Sequence, residues 1–404
     1  MTDRAHDGTI VITHVKKKMI CCLVKGNRVE RIIRVKSRDP KAVPGTVLTG
    51  TVRKMIPSIN AVFIDTGCGQ DGFIQLRNKN DTRGLIGKGS KKDAVKCGDM
   101  MLVQVESPPA RGKPMDLTRS LSLSGKYSVV RDGSPGLHLS KKIPDEWKDA
   151  ISGDRELKAA ASEFSVVIRT NACPDTGFSD HMKAVTLSEI RDLSGRLKTI
   201  KKTAETRVSG SILYAPPKSY TSFLYDIRDD EYSKVITDIP DVYRDLLPVL
   251  RESEMEPEFF ENPKIPLSSV YDLEKNIKEL LSETVYLKSG GSVVIQQTTA
   301  LCAIDVNSGS KKGMGDRLES FRSVNMEAAR EIARQIIARN LSGIILVDFI
   351  NTGSESGNEE MLEYMRGCLS DDPEKAECVD ITELGLMEIV RKKSLPPFSE
   401  QFEG

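Results

Sequence analysis

Two aspartates close two apolar runs. Asp305 follows Leu301, Cys302, Ala303 and Ile304, and Asp348 follows Ile344, Ile345, Leu346 and Val347. Each run reads as an interior strand, and an ionised carboxylate at its end is costly unless it is paired or bound to a metal. Two oxygens completed by water suit Mg²⁺, with Mn²⁺ as a substitute. An ion held there polarises a phosphodiester and acidifies water. Asn307 falls on the same strand face as Asp305, where it could hold the metal, the water or the scissile phosphate. Gly309, Gly313 and Gly315, with Lys311 and Lys312, place a basic, glycine-rich segment beside it. The bland alternative is that both acids cap strand ends or begin turns. Two of them on successive strands of one unit favour the metal site. Several kinds of phosphoryl-transfer enzyme remain open at this point.

A second set of residues suits nucleic acid. Phe63 and Phe73 sit on short strands beside a polar, basic stretch at 77–92. Aromatic rings flanked by Lys and Arg stack bases and hold backbone phosphates on OB-type barrels; two core phenylalanines would read the same way. Arg169 and Thr170 end a third apolar run, SVVIRT, and Arg169 could equally be an exposed strand-end residue.

The elements that must position these residues are legible as well. Runs at 9–15, 19–24 and 28–35 read as three strands, with a turn at Lys25-Gly26-Asn27. Pro40, Pro44 and Gly45 break the chain. Strand candidates at 46–53, 60–65, 72–76 and 98–106, separated by glycine turns, fit a small barrel; 107–119 reads as a connector. Leu187, Ile190, Leu193, Leu197 and Ile200 form one apolar stripe of a helix over 186–204. A strand over 233–239 and helices from Pro240 and over 269–282 follow. Residues 284–296 predict a hairpin turning at Ser289-Gly290-Gly291, and 300–307 a strand. Asn325 predicts the cap of a helix over 326–339, with Glu327 in its first turn. The order strand, helix, strand then brings Asp305 and Asp348 to the same edge of one sheet.

Composition bounds the reading. A length of 404 residues suits several domains. Net charge is +1, but residues 1–100 hold 20 Lys/Arg against 9 Asp/Glu, and residues 351–404 hold 5 against 13. A basic front half suits a polyanionic partner. The eight cysteines form no CxxC pair and there is no HExxH, so no local zinc site is visible. With no leader pattern and no run of 18 apolar residues, a cytoplasmic protein is expected.

Four stretches resemble the bacterial ribonuclease E/G family: SGGSVVIQQTTALCAIDVNSG at 289–309, NMEAAREIARQ at 325–335, RNLSGIILVDFI at 339–350 and LGLMEIVRKK at 384–393. The resemblance implies a multidomain α/β fold. An RNase-H-like subdomain is split between 1–43 and 214–283. An S1 (OB-type) RNA-binding domain occupies 44–119, a 5′-sensor region 120–213, and a DNase-I-like catalytic subdomain 284–404. It implies a Mg-dependent endoribonuclease that hydrolyses single-stranded RNA to 5′-phosphate and 3′-hydroxyl ends, in rRNA processing, mRNA decay or both. Asp305 and Asp348 would bind the metal and Asn307 would support them. Phe63, Phe73 and Lys113 would contact RNA. Gly125, Val129, Arg169 and Thr170 would form a pocket for a 5′-monophosphate. The rival readings are a non-catalytic S1-containing RNA-binding protein and a metal-dependent DNA nuclease.

Three departures from the family pattern stand out. Glu383 occupies the position of an arginine of the 5′ pocket, and a carboxylate there repels a phosphate. Asn351 replaces an aspartate that often follows the second catalytic strand. The CPxCxG zinc link and small dimerisation domain of typical members do not occur within these 404 residues. The expectation is therefore no shared zinc site, and a monomer or a dimer held by another surface.

Overall fold

The computed structural model describes residues 7–36, 40–78, 81–86, 94–109, 113–174, 177–251, 255–309, 317–351, 355–370, 372–393 and 396–403. The chain divides into two compact units, one of residues 1–35 with 231–404 and one of residues 36–230. Among the described residues the architecture is multidomain α/β, with a small closed barrel and three open sheets.

The first unit holds two sheets. Strands Thr9–Val15, Lys18–Lys25 and Arg28–Arg34 form an antiparallel meander. Lys234–Thr237 joins it in parallel beside Thr9–Val15, and Glu258–Phe259 extends the edge. Segments from the start and the middle of the chain thus complete one sheet. Its core includes Val11, Ile20, Val29, Leu273 and Ile277. The helix expected over 269–282 is broken into Leu267–Val270 and Leu273–Leu281. Asp272 between them has φ +48°, a conformation that Asp tolerates better than most residues. Asn27 fixes its carboxylate at 2.7 Å.

The second sheet has six strands, in the order Thr284–Tyr286, Ser292–Gln297, Leu301–Asn307, Gly343–Asp348, Leu386–Arg391, Glu377–Ile381. Leu301–Asn307 and Gly343–Asp348 are parallel neighbours. A parallel pair needs a long crossover, and helix Arg317–Ala338 supplies it. Cys302, Ile304, Ile345 and Val347 are buried in one cluster with Ala329, Ile332 and Ile336 of that helix. Each fully buried isoleucine contributes roughly 1.5–3 kcal/mol, so the platform is stiff. Its other face carries exposed side chains, Asp305 and Asp348 among them.

In the second unit, Val47–Ile56, Ala61–Asp65, Asp71–Gln75, Met115–Thr118 and Met100–Ser107 close into a barrel. The connector expected at 107–119 contains the strand Met115–Thr118, which bridges Asp71–Gln75 and Met100–Ser107. Four residues between polar neighbours gave too short an alternation to show this. Ile212–Tyr214 adds to the edge at Val47–Leu48. A four-stranded sheet follows, in the order Gly136–Leu139, Ser165–Ile168, Ser128–Arg131, Ser122–Ser124. Helix Asp180–Ala204 covers it, with Leu187, Ile190, Leu193, Leu197 and Ile200 buried as the stripe predicted. Among the described residues, no helix is long and apolar enough to cross a membrane.

Candidate active site

Asp305 and Asp348 are register partners on adjacent parallel strands. Neighbouring strands lie roughly 4.8 Å apart, so the two carboxylates stand side by side on the exposed face. The burial pattern of Leu301–Asn307 alternates, with Cys302, Ile304 and Val306 inward and Asp305 and Asn307 exposed. That alternation turns both polar side chains out together. Asn307 Nδ2 donates to Asp305 Oδ2 at 2.7 Å. Among the described residues neither aspartate is in an ion pair. All donors here are oxygens, which fits a hard divalent cation. Among the described residues no three His, Cys, Asp or Glu side chains gather into a ligand set. The carboxylates of Asp305 and Asp348 and the amide oxygen of Asn307 are the side-chain oxygens that would hold such an ion. The segment 310–316, with Lys311, Lys312, Gly313 and Gly315, lies outside the described residues.

The surroundings hold the pair in place. A Cβ on Gly291 would lie 2.6 Å from Asn307 O, and Gly309 at φ +71° would meet Gly290 O. Only glycine lets the 289–291 turn lie against the end of the Asp305 strand. Asn325 is no helix cap, because its helix begins at Arg317. Its buried amide instead donates to Ile350 O at 2.7 Å and accepts from Ile350 N at 3.1 Å. That clamps the chain two residues past Asp348. Glu327 accepts from the backbone N–H of Lys288 at 2.7 Å and of Ser289 at 3.2 Å. Burial opposes ionisation of Glu327, but hydrogen bonds from Ser289 and Lys288 outweigh it and bring its carboxyl below the usual range. Both residues lie in the stretch that carried the family resemblance. Their tertiary partners gave no local signal.

The barrel residues come together in part. Phe63 and Phe73 are register partners. Their half-buried rings meet edge to face, with centroids 5.7 Å apart. Lys113 is exposed, two residues ahead of Met115, the partner of Gly72.

Gly125, Val129, Arg169 and Thr170 also converge. Val129 pairs with Val167, and Arg169 N donates to Tyr127 O at 2.8 Å. The Arg169 guanidinium donates to Gly125 O at 2.8 Å and to Asp226 Oδ1 at 2.6 Å. Thr170 Oγ1 lies 3.2 Å from Ser140 Oγ. The backbone N–H groups of Lys126, Tyr127 and Ser128 all donate to Glu189, a half-buried carboxylate on the long helix. Burial raises the Glu189 carboxyl against the pull of the Ser128, Lys126 and Tyr127 bonds. No local pattern marks Glu189 or Asp226, which reach this loop only through the fold. Glu383 is exposed in the turn between Glu377–Ile381 and Leu386–Arg391.

A profile of the Ribonuclease E/G family matches residues 122–394. The chain is 28% identical to ribonuclease E of Synechocystis sp. over 86% of its length, covering 52% of that protein. It is 27% identical to ribonuclease G of Escherichia coli over 90% of its length, covering 75% of that protein. Against ribonuclease E of Escherichia coli it is 27% identical over 95% of its length and covers 37% of that protein. The chain thus spans about half of the Synechocystis protein and less than half of ribonuclease E of Escherichia coli. The profile takes in both aspartates, Asn307 and the clamp at Asn325, and the chain belongs to the ribonuclease E/G family.

Proposed function

We propose that this chain is a Mg²⁺-dependent endoribonuclease acting on single-stranded RNA. The observation that carries the reading is the pairing of Asp305 with Asp348 on adjacent strands of an exposed sheet face, with Asn307 bonded to Asp305. A Mg²⁺ bound by these two carboxylates supplies charge neutralisation at the scissile phosphodiester and acidifies water. Asn307 orients Asp305 through its amide donor and leaves its own oxygen for water or phosphate. Water adds to phosphorus, and the bond to the 3′ oxygen breaks. The products are a 5′-phosphate and a 3′-hydroxyl end.

The remaining parts have matching roles in this reading. Phe63 and Phe73 stack bases on an S1-type barrel, and Lys113 neutralises backbone charge. Gly125, Val129, Arg169 and Thr170 recognise a 5′-monophosphate, for which a guanidinium is the apt partner. The sheet that unites the start of the chain with its middle is the split RNase-H-like part, and the six-stranded sheet the DNase-I-like part. The physiological substrates are rRNA precursors, mRNA or both, in the cytoplasm.

The test is incubation with an RNA oligomer and its DNA counterpart, with Mg²⁺ and with chelator. Mg-dependent cleavage of RNA is expected. Asp305→Asn and Asp348→Asn should each cost more than about 100-fold, since even outer partners of a metal are worth 10–100-fold. Cleavage that survives in the double variant would refute the mechanism. Binding without cleavage by the wild type would indicate a non-catalytic RNA-binding protein, and equal cutting of DNA a DNA nuclease.

A further inference from the structure

Asp226 sits where helix stability does not favour it. It caps the C-terminal end of the helix Ser219–Tyr225, and the negative end of a helix dipole disfavours a carboxylate. Its position is nevertheless fixed with care. Asn171, two residues beyond Arg169, donates through its side-chain amide to Tyr225 O at 2.9 Å and to Ile227 O at 3.2 Å. These are the carbonyls on either side of Asp226. The Asp226 backbone N–H donates to Ser222 O at 3.1 Å and Phe223 O at 3.2 Å. The carboxylate so held accepts from Arg169 Nη2 at 2.6 Å, while Arg169 Nη1 is taken by Gly125 O.

We infer that Asp226 is a built-in counter-ion of Arg169, which a 5′-terminal phosphate must displace, and that it sets how strongly the chain discriminates between RNA 5′ ends. The inference rests on the reading that Arg169 belongs to a 5′-phosphate pocket. The Arg169 side chain is 24% exposed and that of Asp226 56%. An ion pair this open to water is weak and displaceable. A terminal phosphate offers more charge and more acceptor oxygens to the same guanidinium. Because Asn171 anchors the backbone on both sides, the displaced carboxylate stays near the incoming phosphate and repels it. Asp226 therefore lowers the affinity for a phosphorylated end twice: it competes for Arg169, and it adds like charge. Between phosphorylated ends, Arg169 in its resting state is neutralised and oriented rather than left as a free cation to bind any phosphate of the chain.

The experiment uses the full chain and one RNA sequence made with a 5′-monophosphate or a 5′-hydroxyl. The ratio of the two kcat/KM values is compared among wild type, Asp226→Asn, Asp226→Glu and Arg169→Gln, with thermal unfolding of each as the folding control. Asp226→Asn should raise the ratio roughly two- to five-fold, the range of an exposed ion pair. Asp226→Glu keeps the charge and should stay near the wild-type ratio. Arg169→Gln should bring the ratio to about one. If Arg169→Gln abolishes the preference but Asp226→Asn leaves it unchanged or lowers it, Asp226 orients Arg169 or is indifferent to it, and the counter-ion role is refuted alone. If Arg169→Gln leaves a wild-type preference intact, the pocket reading fails and the inference falls with it.

Discussion

Asp305 and Asp348 stand side by side on the exposed face of their sheet. Their proximity does create mutual repulsion, which a divalent cation relieves. Asn307 rather than a third acid beside them adds a hydrogen bond without adding charge. A different carboxylate makes a prediction about acid stability. Hydrogen bonds from Arg83 and, against the cost of burial, from Arg119 and the Arg77 backbone hold the Asp81 carboxyl far below the usual range. Such a depressed group stabilises the fold fully above its unfolded pKa, about 3.9 for Asp, and loses that contribution as pH falls towards the folded value. Asp81→Asn should therefore be less stable than wild type at pH 7, with the gap narrowing below about pH 4. Urea midpoints measured from pH 7 to pH 3 check this. A gap independent of pH would mean that Asp81 acts by packing alone.

At the scale of elements, helix Arg317–Ala338 is more than the crossover that parallel strands require. Asn is a mediocre helix former, yet Asn325 sits inside the helix and is 3% exposed. Its two bonds to Ile350 explain its presence, and Glu327 performs the matching task at the 287–291 turn. One helix thus fixes the chain beside both aspartates. Asn325→Ala would leave the half-buried N–H and C=O of Ile350 without this partner. A loss of about 1–3 kcal/mol in unfolding free energy is expected, together with reduced cleavage. Asn325→Asp retains the acceptor and should recover part of the loss. Unchanged stability in Asn325→Ala would show that the clamp is dispensable.

At the scale of the whole molecule, the first unit is assembled from segments far apart in sequence, and its joints are polar as well as apolar. In the first unit Arg391, 2% exposed, makes two bonds of 2.9 Å with Asp372, 0% exposed. Arg391 also donates to Asn340 Oδ1 at 2.7 Å and to Leu341 O at 3.0 Å. The end of the Leu386–Arg391 strand, the loop after helix Arg317–Ala338 and the turn after helix Glu355–Cys368 meet at this guanidinium. Asp372→Ala strands a buried cation and should cost about 3–5 kcal/mol in denaturant unfolding. The double variant Asp372→Ala with Arg391→Met should cost less than the single one. Additive losses would mean that the two residues act independently.

The sequence by itself determined the elements that carry the chemistry. Apolar runs ending in Asp305 and Asp348, glycines at 290 and 291 and the stripe from Leu187 to Ile200 are local patterns, set by side-chain periodicity and backbone freedom, and the structure keeps them. The family motifs are local as well, which is why the family is legible in the sequence alone. Only the tertiary structure decided which residue faces which. The Asp305–Asp348 register, the short barrel strand at Met115–Thr118, the Asn325 clamp and the Asp226–Arg169 pair each depend on contacts between segments remote in sequence. A short strand has too few residues to show a period, and an Asn or Asp looks the same in sequence whether it caps a helix, grips a distant backbone or neutralises an arginine. Its role is fixed by the partner that folding brings within hydrogen-bond reach, and that partner leaves no trace in the neighbouring residues.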